Sequence, residues 1–264
     1  MANKNTFPPE SFNWLAAVEH GHFWFEERNE LILWAIRRFS GSPKSFFDVG
    51  CGTGFVLARI ARAFPAAKVC GLDCYSEAIS IAQKRCPQAC LMRDDALNFD
   101  VGDSFDAVGC FDVLEHIPDD KALLTRLRQV LSPGGRLFIS VPQHPWLWSN
   151  EDTLACHQRR YTSSGLLHLA EECGLKCIWR TSFVCSLAPL MLLRRFKPNP
   201  RSSGAGIATL EFSLPKSVNW ILGHLLSAER SAISRGVSLP FGGSLFMVLE
   251  KTEKNIPYCK GSDV

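Results

Sequence analysis

The residues with the most chemical meaning form a glycine run followed by spaced acids. Residues 46–55, FFDVGCGTGF, carry Asp48, Gly50, Gly52 and Gly54 directly behind an apolar run. Glycine in such a place permits a tight turn and lets backbone amides come close to a bound ligand. An ordinary strand-to-helix turn uses the same residues, so the loop needs further evidence to count as a site. The dinucleotide fingerprint asks for glycines at its first, third and sixth positions. Here the sixth is Phe55 and the third glycine falls one place early, which counts against a nicotinamide cofactor. Asp73, at the end of GLD, follows the loop by about twenty residues, where a carboxylate reaches both hydroxyls of a ribose. Its alternative use is as a turn or helix-cap aspartate. Asp94, Asp95 and Ala96 follow a third apolar run, and FDVLEHIP (111–118) follows a fourth. Ligands bind at the carboxyl ends of strands in open α/β sheets, and these residues all fall there.

Strands and helices must alternate to hold such turns, and the hydrophobic pattern supplies them. SFFDV (45–49), AKVCGLD (67–73), ACLM (89–92), FDAVGCF (105–111), RLFISVP (136–142), LKCIWRT (175–181) and SLFMVLE (244–250) read as strands. Helical spacing covers residues 56–64, 119–131, 163–173 and 216–235, and Ser76 is the expected N-cap of a helix running to Arg85. Residues 11–39 read as two helical segments broken near Gly21. Strands alternating with helices predict a mostly parallel sheet covered on both faces. The expected organisation is a single domain over 1–252. It has a helical cap at 1–40, a ligand-binding core at 41–181, an insertion at 182–243 and a final strand at 244–251, before a tail at 253–264. Within the insertion, RRFKPNPRSSGAG (194–206) reads as an exposed loop.

Composition limits the alternatives. A chain of 264 residues with 46% hydrophobic residues can bury a core without disulfides or metal. Its net charge of +3 and pI near 8.3 fall short of a nucleic-acid binder. The opening MANKNTFPPESF lacks the apolar stretch of an export signal, and the cysteine count, 11, is odd. Both point to reduced thiols in a cytoplasm. Cys70/Cys74, Cys86/Cys90 and Cys173/Cys177 are spaced four apart, unlike a zinc knuckle, so no metal site is expected. No apolar run nears the ~20 residues that span a bilayer.

Taken in order, DVGCGTG, GLD, DDA, FDVLEHI and LSPGGRLFISVP resemble the class I S-adenosylmethionine-dependent methyltransferases. The likeness is close over 46–142 and looser out to 181 and over 244–250. It implies a Rossmann-like sheet of seven strands, the last antiparallel. It also implies S-adenosyl-L-methionine as cofactor. Asp48, Gly50, Gly52 and Gly54 would then line its methionine part and Asp73 would bind the ribose. Asp95 and the Ala96 amide would bind the adenine, and Phe111 and Asp112 would flank the sulfonium.

The acceptor is expected to be a small molecule or a lipid-linked group, with oxygen the methylated atom. DNA and RNA are excluded, because Asp112-Val113-Leu114-Glu115 lacks the Asn/Asp-Pro-Pro-aromatic pattern of enzymes that methylate nucleic-acid amines. His116 is one candidate base, and its alternative use is to anchor the start of a helix. His157 is the favoured base. It sits with Arg159, Arg160 and Tyr161 in a polar stretch that also holds Trp148, the expected acceptor-binding segment. The rival reading of that stretch is a hydrogen-bond network in which the arginines pair with Glu151 and Asp152. An opening like HFWFEERNELI, with Trp-Ser-x-x-Asp and His-x-Arg-Arg-Tyr, resembles a bacterial subgroup of these enzymes. His22, Phe23, Trp24 and Phe25 would form a lid, or else a hydrophobic docking face. Residues 183–235 join apolar runs to Arg194, Arg195, Lys197 and Arg201, which fits either peripheral membrane contact or a cap over the cleft; the cap is preferred. The alternative functions are a cofactor-binding protein without turnover and a nicotinamide-dependent oxidoreductase.

Overall fold

The structure, a computed structural model, describes residues 9, 11–189, 191 and 214–252. The basic cluster at 194–201, the loop expected at 194–206 and the tail at 253–264 lie outside the described residues. Among the described residues, seven strands form one sheet in the order β3-β2-β1-β4-β5-β7-β6. They are β1 (Ser45–Val49), β2 (Lys68–Asp73), β3 (Cys90–Arg93), β4 (Phe105–Phe111), β5 (Leu131–Pro142), β6 (Leu175–Phe183) and β7 (Ser244–Lys251). β1 to β5 run parallel, and β7 lies antiparallel between β5 and β6, as expected.

The chain reverses its strand order beside β1, and that opens a crevice at the carboxyl ends of β1 and β4. β1 and β4 are buried along nearly their whole length, because helices cover both faces. On one face, Phe47, Phe105 and Val108 meet Leu123, Leu124 and Leu127 of α5 (Asp120–Gln129) and Leu166 of α7 (Ser163–Glu172). On the other, Phe46, Phe138 and Val248 meet Ile32 and Ile36 of α2 (Phe23–Ser40) and Leu57 and Ile60 of α3 (Phe55–Ala63). α1 (Ser11–Glu19), α4 (Ser76–Arg85) and the short α6 (Asn150–Leu154) lie near the crevice.

Several boundaries differ from the expectation, and three of the differences have a clear local reason. Ser76 is the first helical residue of α4, and Tyr75 is its cap. The Asp73 carboxylate takes the Tyr75 amide at 3.0 Å and so closes the turn one residue earlier. β5 already begins at Leu131, because Leu131 pairs with Phe105 ahead of a register shift that absorbs Ser-Pro-Gly-Gly. Gly135 is needed there: a Cβ would sit 2.8 Å from the Phe105 carbonyl. β6 runs on to Phe183, where it pairs with Ser244 of β7.

The helix α8 (Lys216–Ser234) packs along α2. Asn219 clips the break between α1 and α2. Its Oδ1 accepts the Phe23 amide at 3.0 Å and its Nδ2 donates to the Gly21 carbonyl at 2.8 Å. Arg230 of α8 adds an ion pair to Glu27 at 2.7 Å. These bonds make α8 a brace behind the N-terminal helices.

Phe138 is fully buried where α2 meets the sheet. Phe138→Ala should lower unfolding free energy by roughly 3–5 kcal/mol, read from the urea midpoint. A loss below ~1 kcal/mol would mean that this layer is not closely packed.

Candidate functional site

The glycine loop is built from the end of β1 outward. Gly50, Gly52 and Gly54 all have positive φ, at 76°, 53° and 74°, a region that strains other residues. At Gly50 a Cβ would lie 2.3 Å from a Val113 methyl, so no side chain fits. The amides of Gly50 and Cys51 donate to the Leu72 carbonyl at 2.8 and 2.9 Å. The Gly52 amide donates to Asp73 Oδ2 at 2.9 Å. Asp73 thus serves both weighed uses: it holds the turn through two backbone amides and also lines the cavity above. Burial raises its carboxyl pKa, and hydrogen bonds from the Tyr75, Gly52 and Cys74 backbone counter that.

The cavity over this loop measures about 440 Å³. Asp48, Gly50, Gly52, Asp73, Asp95, Ala96, Phe111 and Asp112 all line it. Gly54 is the exception among the expected cofactor residues. It caps α3 and faces Ala82 of α4, where a Cβ would come within 2.9 Å. Its role is to let the two helices approach. Asp48 lies beneath the loop, 2% exposed, and burial pushes its carboxyl up to about 7 against the pull of Arg28. Asp112 takes a left-handed φ of 55°, its amide on the Ser140 carbonyl at 2.9 Å and its Oδ1 on the Ser140 hydroxyl at 3.2 Å.

The N-terminal helices close the cavity from above. Phe12, Leu15, Trp24 and Phe25 line it. The buried Glu19 accepts from the Thr53 hydroxyl at 2.6 Å and from Arg85 Nη1 at 2.6 Å, and Arg85 also donates to the Ala16 carbonyl at 3.1 Å. This network ties α1 to the glycine loop and to α4. Of the expected lid residues, Trp24 and Phe25 face the cavity, while His22 caps α2 by accepting the Trp24 amide at 3.3 Å. Burial lowers the His22 pKa to about 4.

Arg28 lies in the same wall. It pairs with Asp112, stacks 5.1 Å from the Trp24 ring and 5.8 Å from the Phe111 ring, and leaves its buried Nε without a hydrogen-bond partner. Sequence reasoning passed over Arg28, Glu19 and Arg85. Arg28 was within reach, since it follows Trp24 by one helical turn and shares that face of α2.

At the far end of the cavity, His116, Ile117 and Cys156 form the wall. The His157 ring stands behind His116, centroids 4.8 Å apart and nearly perpendicular, and does not line the cavity. Its Nδ1 bonds Asp152 Oδ1 at 2.8 Å, and Arg160 Nε bonds the same oxygen at 2.8 Å. Burial works against the Asp152 charge, yet the His157 and Arg160 hydrogen bonds hold its carboxyl down at about 2. Arg159 pairs with Asp120 at 2.5 Å, and the Tyr161 hydroxyl donates to Asp120 at 2.8 Å. So the expected acceptor-binding residues are drawn into a network behind the wall, with Asp120 in place of Glu151 for Arg159. Trp148 stays on the surface, its indole N–H on the Thr153 hydroxyl at 3.3 Å. Glu115 is fully buried beside the two histidines, and among the described residues its carboxyl oxygens meet no hydrogen-bond partner other than its own backbone amide.

Comparison with known proteins gives the family and the fold. The model of the methyltransferase domain family matches residues 13–179, well over half of the chain. The chain belongs to that family, and its sheet is that of the class I S-adenosylmethionine-dependent members. Trans-aconitate 2-methyltransferase of Methylobacterium radiotolerans is 35% identical over 103 residues, 39% of this chain and 40% of that protein. The ubiquinone biosynthesis O-methyltransferase of Xylella fastidiosa strain M23 is 34% identical over 110 residues, 39% of this chain and 44% of that protein. The match therefore spans less than half the length of these curated relatives. Among solved structures, the plantazolicin methyltransferase BpumL, crystallised with a monoazolic desmethylPZN analog and SAH, shares the fold. Its TM-score is 0.60 at 18% identity, covering 92% of this chain and 90% of that one. A TehB-like SAM-dependent methyltransferase of Corynebacterium glutamicum gives 0.52 at 17% identity, covering 85% and 88%.

The buried Asp48 carries a pH signature. The folded chain keeps this proton to about pH 7, whereas an unfolded aspartate releases it near ~4. The folded state binds more protons between those values, so stability falls as pH rises through that window. Asp48→Asn removes the titration. Urea unfolding at about pH 5 and about pH 8 should show a wild-type loss on the order of 3 kcal/mol that the variant lacks. Parallel pH profiles for the two chains would refute the assignment.

Proposed function

We propose that this chain transfers the methyl group of S-adenosyl-L-methionine to an oxygen atom of a small-molecule acceptor. The observation that carries the reading is one continuous cavity with a ribose-type acid, Asp73, at one end and an imidazole, His116, at the other. The residues present fit the cofactor. Asp73 keeps lone pairs free for the ribose hydroxyls after accepting two amides, and Asp95 with Ala96 sits where an adenine would end. The Gly50 cradle excludes a side chain, and Arg28 offers an unpartnered N–H to the methionine carboxylate. Asp48 and Asp112 give the pocket the negative potential that a sulfonium needs.

The cofactor supplies a methyl group that is already activated. The protein has then to align, desolvate and, for a hydroxyl acceptor, remove a proton. Alignment alone is worth about 7–11 kcal/mol in well-oriented reactions. Trp24 and Phe25 exclude water from above, and Arg28 fixes Asp112 beside Phe111. Of the two histidines proposed as catalytic, His116 is the one that meets the cavity; His157 and the Asp152–Arg160 pair position it from behind. The names of the trans-aconitate and ubiquinone-pathway relatives support an oxygen acceptor and a small molecule. A cytoplasmic setting is part of the reading, supported by ten free cysteines among the described residues.

A lipid-linked acceptor is the second reading. No described helix is long and apolar enough to cross a membrane, but Trp220 and Ile221 of α8 are 63% and 57% exposed. Co-sedimentation with anionic vesicles tests it, and an unbound protein would rule out the membrane contact.

For the main reading, Asp73→Ala should weaken S-adenosylmethionine binding at least 100-fold by calorimetry, and Arg28→Met about tenfold, since each removes a charged partner of the ligand. Unchanged affinity in Asp73→Ala refutes the site. Incubation of a metabolite extract with enzyme and methyl-labelled cofactor, read by mass spectrometry, should yield labelled O-methyl products. Binding without any transfer would favour a protein that holds the cofactor but does not turn over.

A further inference from the structure

We propose that Glu115, His116 and His157 form a binding site for a divalent cation at the acceptor end of the cavity. One donor atom from each lies within 4.8 Å of the others. Glu115 and His116 share the single turn Leu114–His116 after β4, and His157 follows α6. The two segments are tied by the Gln158 amide, which donates to the Glu115 carbonyl at 2.8 Å, and the second is closed on itself by the His157 amide on the Asp152 carbonyl at 2.9 Å. The fold therefore brings the donors near one another, so that binding an ion asks only for a short side-chain adjustment.

The strongest observation is the state of Glu115. It is 0% exposed, and among the described residues its carboxyl oxygens meet no hydrogen-bond partner other than its own backbone amide. Buried polar groups in proteins are almost always partnered, and buried charges are paired or coordinate metals. Arg28 lowers the Glu115 carboxyl only through its charge, with its Nη2 paired to Asp112 and no hydrogen bond to Glu115. His157 Nε2 stands 3.9 Å from Glu115 Oε1, too far for a hydrogen bond. A cation between these groups supplies the missing partner.

The second observation is how the histidines are oriented. His157 gives Nδ1 to Asp152, itself gripped by Arg160, and so turns Nε2 toward Glu115. A backbone hydrogen bond at Cys156 holds the His116 ring. Metal-bound imidazoles are typically fixed in this way, with the outer nitrogen on a carboxylate or on the backbone. Two imidazoles and a carboxylate suit zinc or another late divalent transition metal better than magnesium or calcium. Metal bonds of ~2.0–2.2 Å require the donors to draw in by about an ångström. His116 lines the cavity, so a remaining coordination position opens toward an acceptor oxygen. That last consequence rests on the methyl-transfer reading; the cation site does not.

The full chain, stripped with a chelator and titrated with Co²⁺ alone, tests the site. A visible d–d absorption should grow to one ion per chain, disappear on addition of Zn²⁺, and accompany a rise of a few degrees in melting temperature. Glu115→Gln and His157→Asn should each weaken Co²⁺ at least tenfold, and Asp152→Asn by 10–100-fold through the orientation of His157. Cys156→Ser should leave the band in place. The proposal is overturned if the wild-type chain shows no band. It is equally overturned if a folded Glu115→Gln binds Co²⁺ as tightly as the wild type, if the band is lost in Cys156→Ser, or if intense thiolate charge transfer puts the ion on cysteines. Methyl transfer is not measured here, so failure of the cation site leaves the methyltransferase reading untouched, and the reverse.

Discussion

The carbonyl of Leu72 accepts two amides, those of Gly50 and Cys51, and much of the site follows from that bifurcated contact. It folds the chain leaving β1 back onto the end of β2, which only residues tolerant of positive φ can do. The same fold sets Gly52 against the Asp73 carboxylate and Gly50 against Val113. Loop, Asp73 and the turn after β4 are thereby fixed relative to one another. The strand register supports this, with Asp48 beside Gly71 on β2 and beside Gly109 on β4. Small neighbours on both sides let a carboxylate sit at the base of the crevice.

Charge is distributed unevenly around the cavity. Asp48, Asp73, Asp95, Asp112 and Glu19 line it, with Arg28 as the cation among the lining residues. Burial raises the carboxyl pKa values of Glu19, Asp48 and Asp73, so the folded chain holds these groups at a cost that a cationic ligand would relieve. Arg28 moderates the field at Asp48 and Asp112, and Arg85 does so at Glu19. The result is a pocket suited to a ligand with a positive centre and a negative tail.

The wall above the cavity is made by parts of the chain far apart in sequence. α8 lies nearly two hundred residues beyond the α1–α2 break, yet Asn219 bonds both of its sides. The insertion before β7 therefore braces the N-terminal helices while keeping Trp220 and Ile221 on its outer face. Brace and apolar surface are two faces of one helix, and among the described residues this helix lines no part of the cavity that the expected cap would cover.

Local pattern was enough for the parts of this protein that local chemistry dictates. Strands β1 and β4 match their apolar runs residue for residue, since a strand buried on both faces needs an unbroken run. The glycines and Asp73 were legible because positive φ and a strand-end acid demand particular residue types. The polar stretch around His157 was not. Its residues carry the same chemistry whether they face a ligand or each other, and only the packing of α6 against the turn after β4 sends Arg159 and Tyr161 to Asp120 and Arg160 to Asp152. Arg28, Glu19 and the buried Glu115 likewise look like ordinary charges in a sequence. Tertiary structure decided their roles, because a charge acquires meaning from the solvent it loses and the partner it meets, and both are set by residues distant in the chain.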